Sequence, residues 1–476
     1  MTRPWSKNSS RKSGGHVAKM SLEKVALLTG GKLLAGSPEK LATGFEFDSR
    51  EIKPGDLFFA LVAERNGHDF IPDAFRRGAV GAVVSEERQP PHPDFGLIRV
   101  DDTLEALQLL ARKVLQEYQV KIIGITGSVG KTTVKEYTAS LLAGQFSVLK
   151  AKKSFNNQIG VPYTLLQLHQ GHQIAVLEMG MNHAGEIKHL TTIAPPDVAV
   201  ITGIKPVHTE FFSSLDEIAA AKYEILAGAR PQAVAVLAGD DPYCQQFART
   251  WSGQVITFGF GENCHLRVTA LHLEGWAGYS FTVTYQGKKL SLKLPVVYES
   301  YVYNFAAAAA AASALGLSLE KIKEQALNLG PLPQRGEIIP LANDIHLIND
   351  VYNSNPAALQ MALRNLSSLP ARRRIAVLGD MLELGREGDK FHFQLGQELA
   401  QLGWDWMITV GQLSRHFARG AIAAGLPSSQ VLTLAEAGAA AEALHSLLQP
   451  GDLILVKGSR RMKMEQIIEH LTGGEK

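Results

Sequence analysis

Short apolar runs recur along the chain, separated by longer stretches whose apolar positions fall at helical spacing. The runs at 121–125, 174–178, 198–202, 233–237 and 254–258 read as strands with helices between them. That alternation predicts a parallel sheet covered by helices on both faces. After 258 the pattern changes. Tyr279-Ser280-Phe281-Thr282-Val283-Thr284-Tyr285 alternates and is followed by Gln286-Gly287, which predicts an antiparallel hairpin appended to the sheet. The alanine-rich stretch 305–315 predicts a buried helix. The rhythm then resumes with strands at 345–349, 374–378, 406–410 and 453–456. Each is followed by polar or glycine residues: Asp350, Gly379-Asp380, Gly411 and Lys457-Gly458-Ser459-Arg460. Ahead of all these, 20–115 reads as a smaller unit. It has a Ser21-capped helix, a strand at 57–61, a helix at 67–77, a strand at 79–85, a proline-rich loop at 88–93 and an amphipathic helix at 102–118.

The predicted fold class is α/β in three domains. Residues 20–115 form a small α/β N-terminal domain. Residues 116–330 form a central P-loop-type parallel-sheet domain with appended antiparallel strands. Residues 331–476 form a C-terminal Rossmann-like α/β domain, with Gly330-Pro331-Leu332-Pro333 as the hinge. A length of 476 residues is too great for one core. Residues 1–19 are basic and rich in Ser and Gly, without an apolar h-region; they read as a disordered tail, or as residues before a natural start at Met20, and not as a signal peptide. A net charge of +2 argues against a general nucleic-acid or membrane surface. The two cysteines, Cys244 and Cys264, lack metal-type spacing and suit a reducing cytosol as small buried apolar groups. No run reaches membrane-span length; the most apolar, 305–317, is too short.

Candidate chemistry begins at 121–133. A strand leads into Gly124-Ile125-Thr126-Gly127-Ser128-Val129-Gly130-Lys131-Thr132-Thr133, followed by a helix-compatible segment at 134–143. Gly127 and Gly130 let backbone N–H groups curl round a phosphate, and the helix points its positive end at the same anion. Lys131 suits the terminal phosphates and the Thr132 hydroxyl suits Mg²⁺. Ile125 stands where the strict phosphate-loop pattern has glycine, but a bare glycine turn would explain neither the preceding strand nor Thr133. Parallel sheets bind ligands at the carboxyl ends of their strands. Glu178 and His208 fall there, as metal ligands or as a solvated carboxylate and a structural histidine. Ile218, Lys222 and Ile225 share one face of a helix opened by Ser214 and Glu217. A snorkelling lysine is the simpler reading; a carbamylated one would be a metal ligand. Ser154-Phe155-Asn156-Asn157-Gln158-Ile159-Gly160-Val161-Pro162 carries amides that suit a substrate carbonyl or phosphate, or an asparagine-rich turn.

Together these segments resemble the Mur ligases, and within that family the branch that adds D-alanyl-D-alanine. The likeness runs over almost the whole chain from about residue 20. It includes Phe47-Asp48-Ser49-Arg50, Pro54-Gly55-Asp56-Leu57-Phe58 and Gly67-His68-Asp69-Phe70, then the phosphate loop with Ile125, Asn156 to Pro162, and Glu178-Met179-Gly180-Met181-Asn182-His183. It continues with Ala221-Lys222-Tyr223-Glu224-Ile225, Asn349-Asp350-Val351-Tyr352-Asn353-Ser354-Asn355-Pro356 and Gly379-Asp380-Met381-Leu382-Glu383-Leu384-Gly385. Three places depart. Gly203-Ile204-Lys205-Pro206-Val207-His208 replaces Asn-Ile-Gly-x-Ala-His. Ala238-Gly239-Asp240-Asp241 lacks an asparagine before the acid pair. Tyr298-Glu299-Ser300-Tyr301-Val302-Tyr303-Asn304 replaces Gly-x-His-Asn-x-x-Asn and keeps only the last asparagine.

The resemblance implies a cytoplasmic, monomeric, ATP- and Mg²⁺-dependent ligase that joins D-alanyl-D-alanine to UDP-N-acetylmuramoyl-tripeptide through an acyl phosphate. It assigns catalysis to Lys131, Lys222 (carbamylated), His208 and Asn157. ATP falls to Gly127, Ser128, Gly130, Lys131, Thr132, Thr133, Asn304, Arg335 and Asp350, and metal to Thr132, Glu178, His208 and Lys222. Substrate falls to Ser49, Arg50, Asn156, Asn353 and Asn355, with the 379–385 loop beside the dipeptide. A folylpolyglutamate-type or diaminopimelate-adding ligase, and a non-catalytic ATP-binding switch, are the competing expectations.

Overall fold

The computed structural model describes residues 19–152, 154–206 and 211–473. The first unit is a five-stranded sheet in the order Lys32–Ala35, Gly96–Arg99, Gly81–Val84, Asp56–Phe59, Gly44–Glu46. All its pairings are parallel except that of Lys32–Ala35. Helix Thr103–Tyr118 opens on Asp102, whose Oδ1 accepts from the N–H groups of Leu104 (2.7 Å) and Glu105 (2.9 Å). Its buried face (Ala106, Leu107, Leu110, Ala111, Val114, Leu115) repeats at helical spacing and joins the core of this unit to the next.

The central sheet has nine strands in the order Lys288–Leu294, Tyr279–Tyr285, Leu266–Leu273, Val255–Gly259, Val234–Ala238, Val198–Ile201, Lys121–Thr126, Ile174–Glu178, Val148–Lys150. The hairpin half is antiparallel and the rest parallel. Lys121–Thr126 lies between Ile174–Glu178 and Val198–Ile201, with Glu178 level with Ile125 and Ile201 level with Thr126. The three strand ends therefore meet at the phosphate loop. Helix Glu299–Ala314 starts ahead of the expected 305, so Asn304 sits on the helix itself. It packs on helix Lys131–Ala143, behind the phosphate loop. Ala306 through Ala312 are fully buried, because only small side chains let the helix lie so deep in the core.

The third unit has six strands in the order Glu337–Leu341, Ile345–Asp350, Asp452–Lys457, Arg373–Gly379, Trp406–Val410, Val431–Leu434, with only Glu337–Leu341 antiparallel. The last strand in the chain thus inserts at the centre, setting Lys457 level with Asp350 and Leu378. The link between units is clamped by two tyrosines. Tyr137 OH donates to Gly330 O at 2.8 Å, while Tyr301 OH donates to Arg335 O at 2.6 Å and accepts from Leu332 N at 2.8 Å.

Candidate active site

The phosphate loop leaves strand Lys121–Thr126 and enters helix Lys131–Ala143 through two glycines with positive φ, Gly127 (141°) and Gly130 (86°). A Cβ on Gly130 would collide with the Asn304 amide, so glycine is required there for space as well as for conformation. Ser128 Oγ donates to Lys205 O (2.9 Å) and accepts from Lys205 N (2.8 Å), so its hydroxyl ties the loop to the neighbouring strand end. Half-buried Lys131 curls back to donate to Gly127 O at 2.8 Å. Burial lowers its pKa, and the Glu178 charge opposes that shift.

Glu178, 2% exposed, is gripped from two sides. Its Oε2 accepts from Thr132 Oγ1 at 2.9 Å and its Oε1 from Asn156 Nδ2 at 2.8 Å. Asn156 is itself fixed, because its carbonyl accepts from Gly180 N at 2.8 Å. Among the described residues no three His, Cys, Asp or Glu side chains form a metal cage. One carboxylate beside one hydroxyl at a phosphate loop nevertheless fits Mg²⁺, which takes few protein ligands and completes its octahedron with phosphate and water.

Lys222 lies on helix Leu215–Ala227, whose cap Ser214 accepts from Glu217 N at 3.2 Å. Lys222 is only 2% exposed, and no hydrogen bond or ion pair reaches its Nζ among the described residues. It does not snorkel. Burial and the positive charge of Lys131 hold its amine well below the ordinary lysine value. A neutral buried amine is the form that adds CO₂. His208 lies outside the described residues.

The third unit closes the site. Arg335 Nη2 donates to Thr132 Oγ1 at 3.3 Å, and its guanidinium lies 3.8 Å from the Tyr352 ring centroid. Tyr352 OH in turn meets Ser154 Oγ at 2.7 Å. Asp350 Oδ2 accepts from Lys457 Nζ at 2.7 Å and from Tyr298 OH at 3.4 Å. Burial raises the pKa of the Asp350 carboxyl against the opposing charge of Lys457.

Residues 125–312 match the family model for the Mur ligase middle domain, and residues 334–460 the one for the Mur ligase, glutamate ligase domain. The chain belongs to the Mur ligase family. It is 35% identical to the UDP-N-acetylmuramoyl-tripeptide–D-alanyl-D-alanine ligase of Bacillus subtilis over 90% of this chain and 93% of that one. Identity to the Escherichia coli protein of the same name is 33%, over 89% and 92%. Among solved structures, MurF from Acinetobacter baumannii superposes with a TM-score of 0.88 at 31% identity, covering 96% of this chain and 99% of that one. MurF from Thermotoga maritima in complex with ADP gives 0.78 at 27%, covering 90% and 97%.

In this Mur ligase the other expected site residues are placed as follows. Thr133 is buried in the helix behind the loop. Asn157 is exposed, and its Oδ1 accepts from Ile159 N (3.2 Å) and Gly160 N (2.9 Å), the bonding of an asparagine turn. Asn355 caps helix Pro356–Ser367 through Ala358 N at 2.9 Å. Exposed Asn353 turns its Oδ1 to Ser354 N. In the first unit Ser49 is buried, and exposed Arg50 makes a two-pronged pair with Asp48 (2.9 and 2.7 Å). Two participants escaped sequence reasoning. Tyr298 stood out only as a departure from the family pattern, and Lys457 only as a polar residue after a strand. Nothing local in the sequence says that either one meets Asp350.

Proposed function

We propose that this Mur ligase joins D-alanyl-D-alanine to UDP-N-acetylmuramoyl-tripeptide at the expense of ATP in the cytoplasm, acting as a monomer. The observation that carries this reading is the convergence of Lys131, Thr132, Glu178 and buried Lys222 at one sheet edge, in a chain that covers nearly the full length of ligases bearing that name. Residues 20–115 would take the UDP-linked substrate through Ser49 and Arg50, 116–330 the ATP, and 331–476 the dipeptide near Asn353 and Asn355. No helix among the described residues is long and apolar enough to cross a membrane.

A free carboxylate is a poor acyl donor. The γ-phosphoryl of ATP passes to the terminal carboxylate of the tripeptide, giving an acyl phosphate and ADP. The amine of D-alanyl-D-alanine then attacks the acyl carbon, phosphate leaves, and the amine proton goes to solvent. Phosphoryl transfer is chiefly a matter of positioning and charge neutralisation. Lys131 and the loop N–H groups hold the phosphates, and Asn156 holds Glu178 in place. Arg335 brings the third unit over the reacting groups and excludes water that would hydrolyse the intermediate. Thr132 would hold one Mg²⁺ beside the phosphates, and Lys222, as the carbamate R–NH–COO⁻ formed from its neutral amine and CO₂ with loss of a proton, would with Glu178 and His208 hold a second, which would supply neutralisation between the two like-charged substrates. Asn304, beside Gly130, and Asp350 take the nucleoside side.

The test is the mass of the product formed from UDP-N-acetylmuramoyl-tripeptide, D-alanyl-D-alanine and ATP, together with phosphate release. Product heavier by the dipeptide less one water is expected, and release only with a different amine sinks the reading. Lys222→Ala should abolish ligation and regain part of it with added short carboxylic acids; a non-catalytic switch would respond to neither.

A further inference from the structure

Lys457 is 3% exposed at the end of the central strand of the third sheet. Its ammonium makes two bonds in two directions: to Asp350 Oδ2 at 2.7 Å and to the backbone carbonyl of Asn353 at 3.0 Å. Neutralising a buried carboxylate needs only the first. The second lands on the turn that carries Asn353 and Asn355 into helix Pro356–Ser367. Inside that turn Ser354 N donates to the Asn353 side chain, and Lys457 anchors the Asn353 carbonyl from the neighbouring strand. On the carboxylate, Lys457 and Tyr298 both bond to Oδ2.

We infer that Lys457 is a positioning residue that sets the ATP-binding carboxylate and the dipeptide-binding turn in register through one ammonium. This rests on the reading under Proposed function, in which Asp350 serves ATP and Asn353 the dipeptide. The acyl phosphate is made from one and consumed by the other, so a misplacement of either relative to the other costs rate.

The experiment measures the KM of each of the three substrates by phosphate release for the full-length chain and for Asp350→Asn, Lys457→Met, Lys457→Arg and Asp350→Asn/Lys457→Met. Asp350→Asn should raise the KM of ATP and leave that of the dipeptide unmoved. Lys457→Met should raise both about tenfold, as expected for a lost hydrogen bond to a charged group. Lys457→Arg, which keeps the charge and two or more donors, should recover part of both. The double variant buries no unpaired charge, so it remains informative where Lys457→Met alone fails to fold. Its dipeptide KM should stay raised relative to Asp350→Asn. A double variant equal to Asp350→Asn in dipeptide KM overturns the proposal. So does a matching rise in the UDP-tripeptide KM, which marks a general loosening. Wild-type protein that releases no phosphate with these substrates overturns the functional reading, and the proposal with it.

Discussion

At the scale of residues, the decisive groups are those whose burial conflicts with their charge. Lys222 has its folded-state pKa lowered from 10.5, so below that value the unfolded chain takes up a proton that the folded one refuses. Its contribution to stability therefore grows more unfavourable as pH falls from 10.5 towards the folded pKa. In CO₂-free buffer, Lys222→Met should melt higher than wild type at pH 7, and the gap should shrink as pH approaches 10.5. His392 gives the complementary case. Fully buried, its Nε2 accepts from Met381 N (3.0 Å) while its Nδ1 donates to Gly388 O (2.6 Å), which fixes the neutral ring under the 379–385 loop. Burial lowers its pKa from 6.5. The stability it confers is complete above 6.5 and is lost as pH falls through the lower folded value. His392→Gln should flatten the fall of the melting temperature between pH 7 and pH 5. The placement of Lys131, Thr132 and Glu178 side by side was legible in the sequence, because each follows a strongly apolar run at the end where a parallel sheet must open. The helical period showed that the Lys222 face is buried; it could not show that the amine meets no hydrogen-bonding group among the described residues. Lys457 was legible only as a type, since its meeting with Asp350 depends on the last strand inserting at the centre of a sheet.

At the scale of elements, apolar runs predicted most of the parallel strands and missed two interior ones, Gly96–Arg99 and Leu266–Leu273, as well as strands at the edges. Val148–Lys150 is half-exposed and short, and Glu337–Leu341 carries Pro340, which an edge accepts because its missing N–H breaks no ladder. The alanine helix was expected to start at 305 because its first turns, Glu299 to Asn304, read as aromatic and polar, and Tyr298 supplies no side-chain cap. Seven consecutive fully buried alanines leave no room on any face. Ala309→Leu should therefore cost roughly 1–3 kcal/mol by overpacking, read as a lower denaturant midpoint with an unchanged slope. Towards the end of the helix the packing loosens only at Ser313 and Ala314, just before the chain turns at Leu315 and Gly316.

At the scale of the whole molecule, the third unit is seated on the central one by contacts far from the phosphates as well as near them. Trp276, from the appended hairpin, stacks on His346 (centroids 3.8 Å apart, planes 8°) and donates to Pro370 O at 3.1 Å. Arg335 makes the contact nearer the chemistry. Arg335→Ala with Trp276→Ala should give a larger radius of gyration by small-angle scattering without ATP. Phosphate release should fall roughly tenfold or more, as catalysis needs the closed arrangement. An unchanged radius would show that other contacts hold the units together.

The two tyrosine clamps on residues 330–335 also decide how the gene can be divided. Segments between domains are the usual places to cut when a fragment is wanted for expression. A break between Gly330 and Pro331 would separate the Tyr301 hydroxyl from both of its partners and leave a hydroxyl in the core of the central fragment with nothing to bond. The clamps also make this stretch a poor substrate for proteases, which need several residues of extended, detachable chain. The natural seam of the polypeptide and the natural seam of its folding do not coincide.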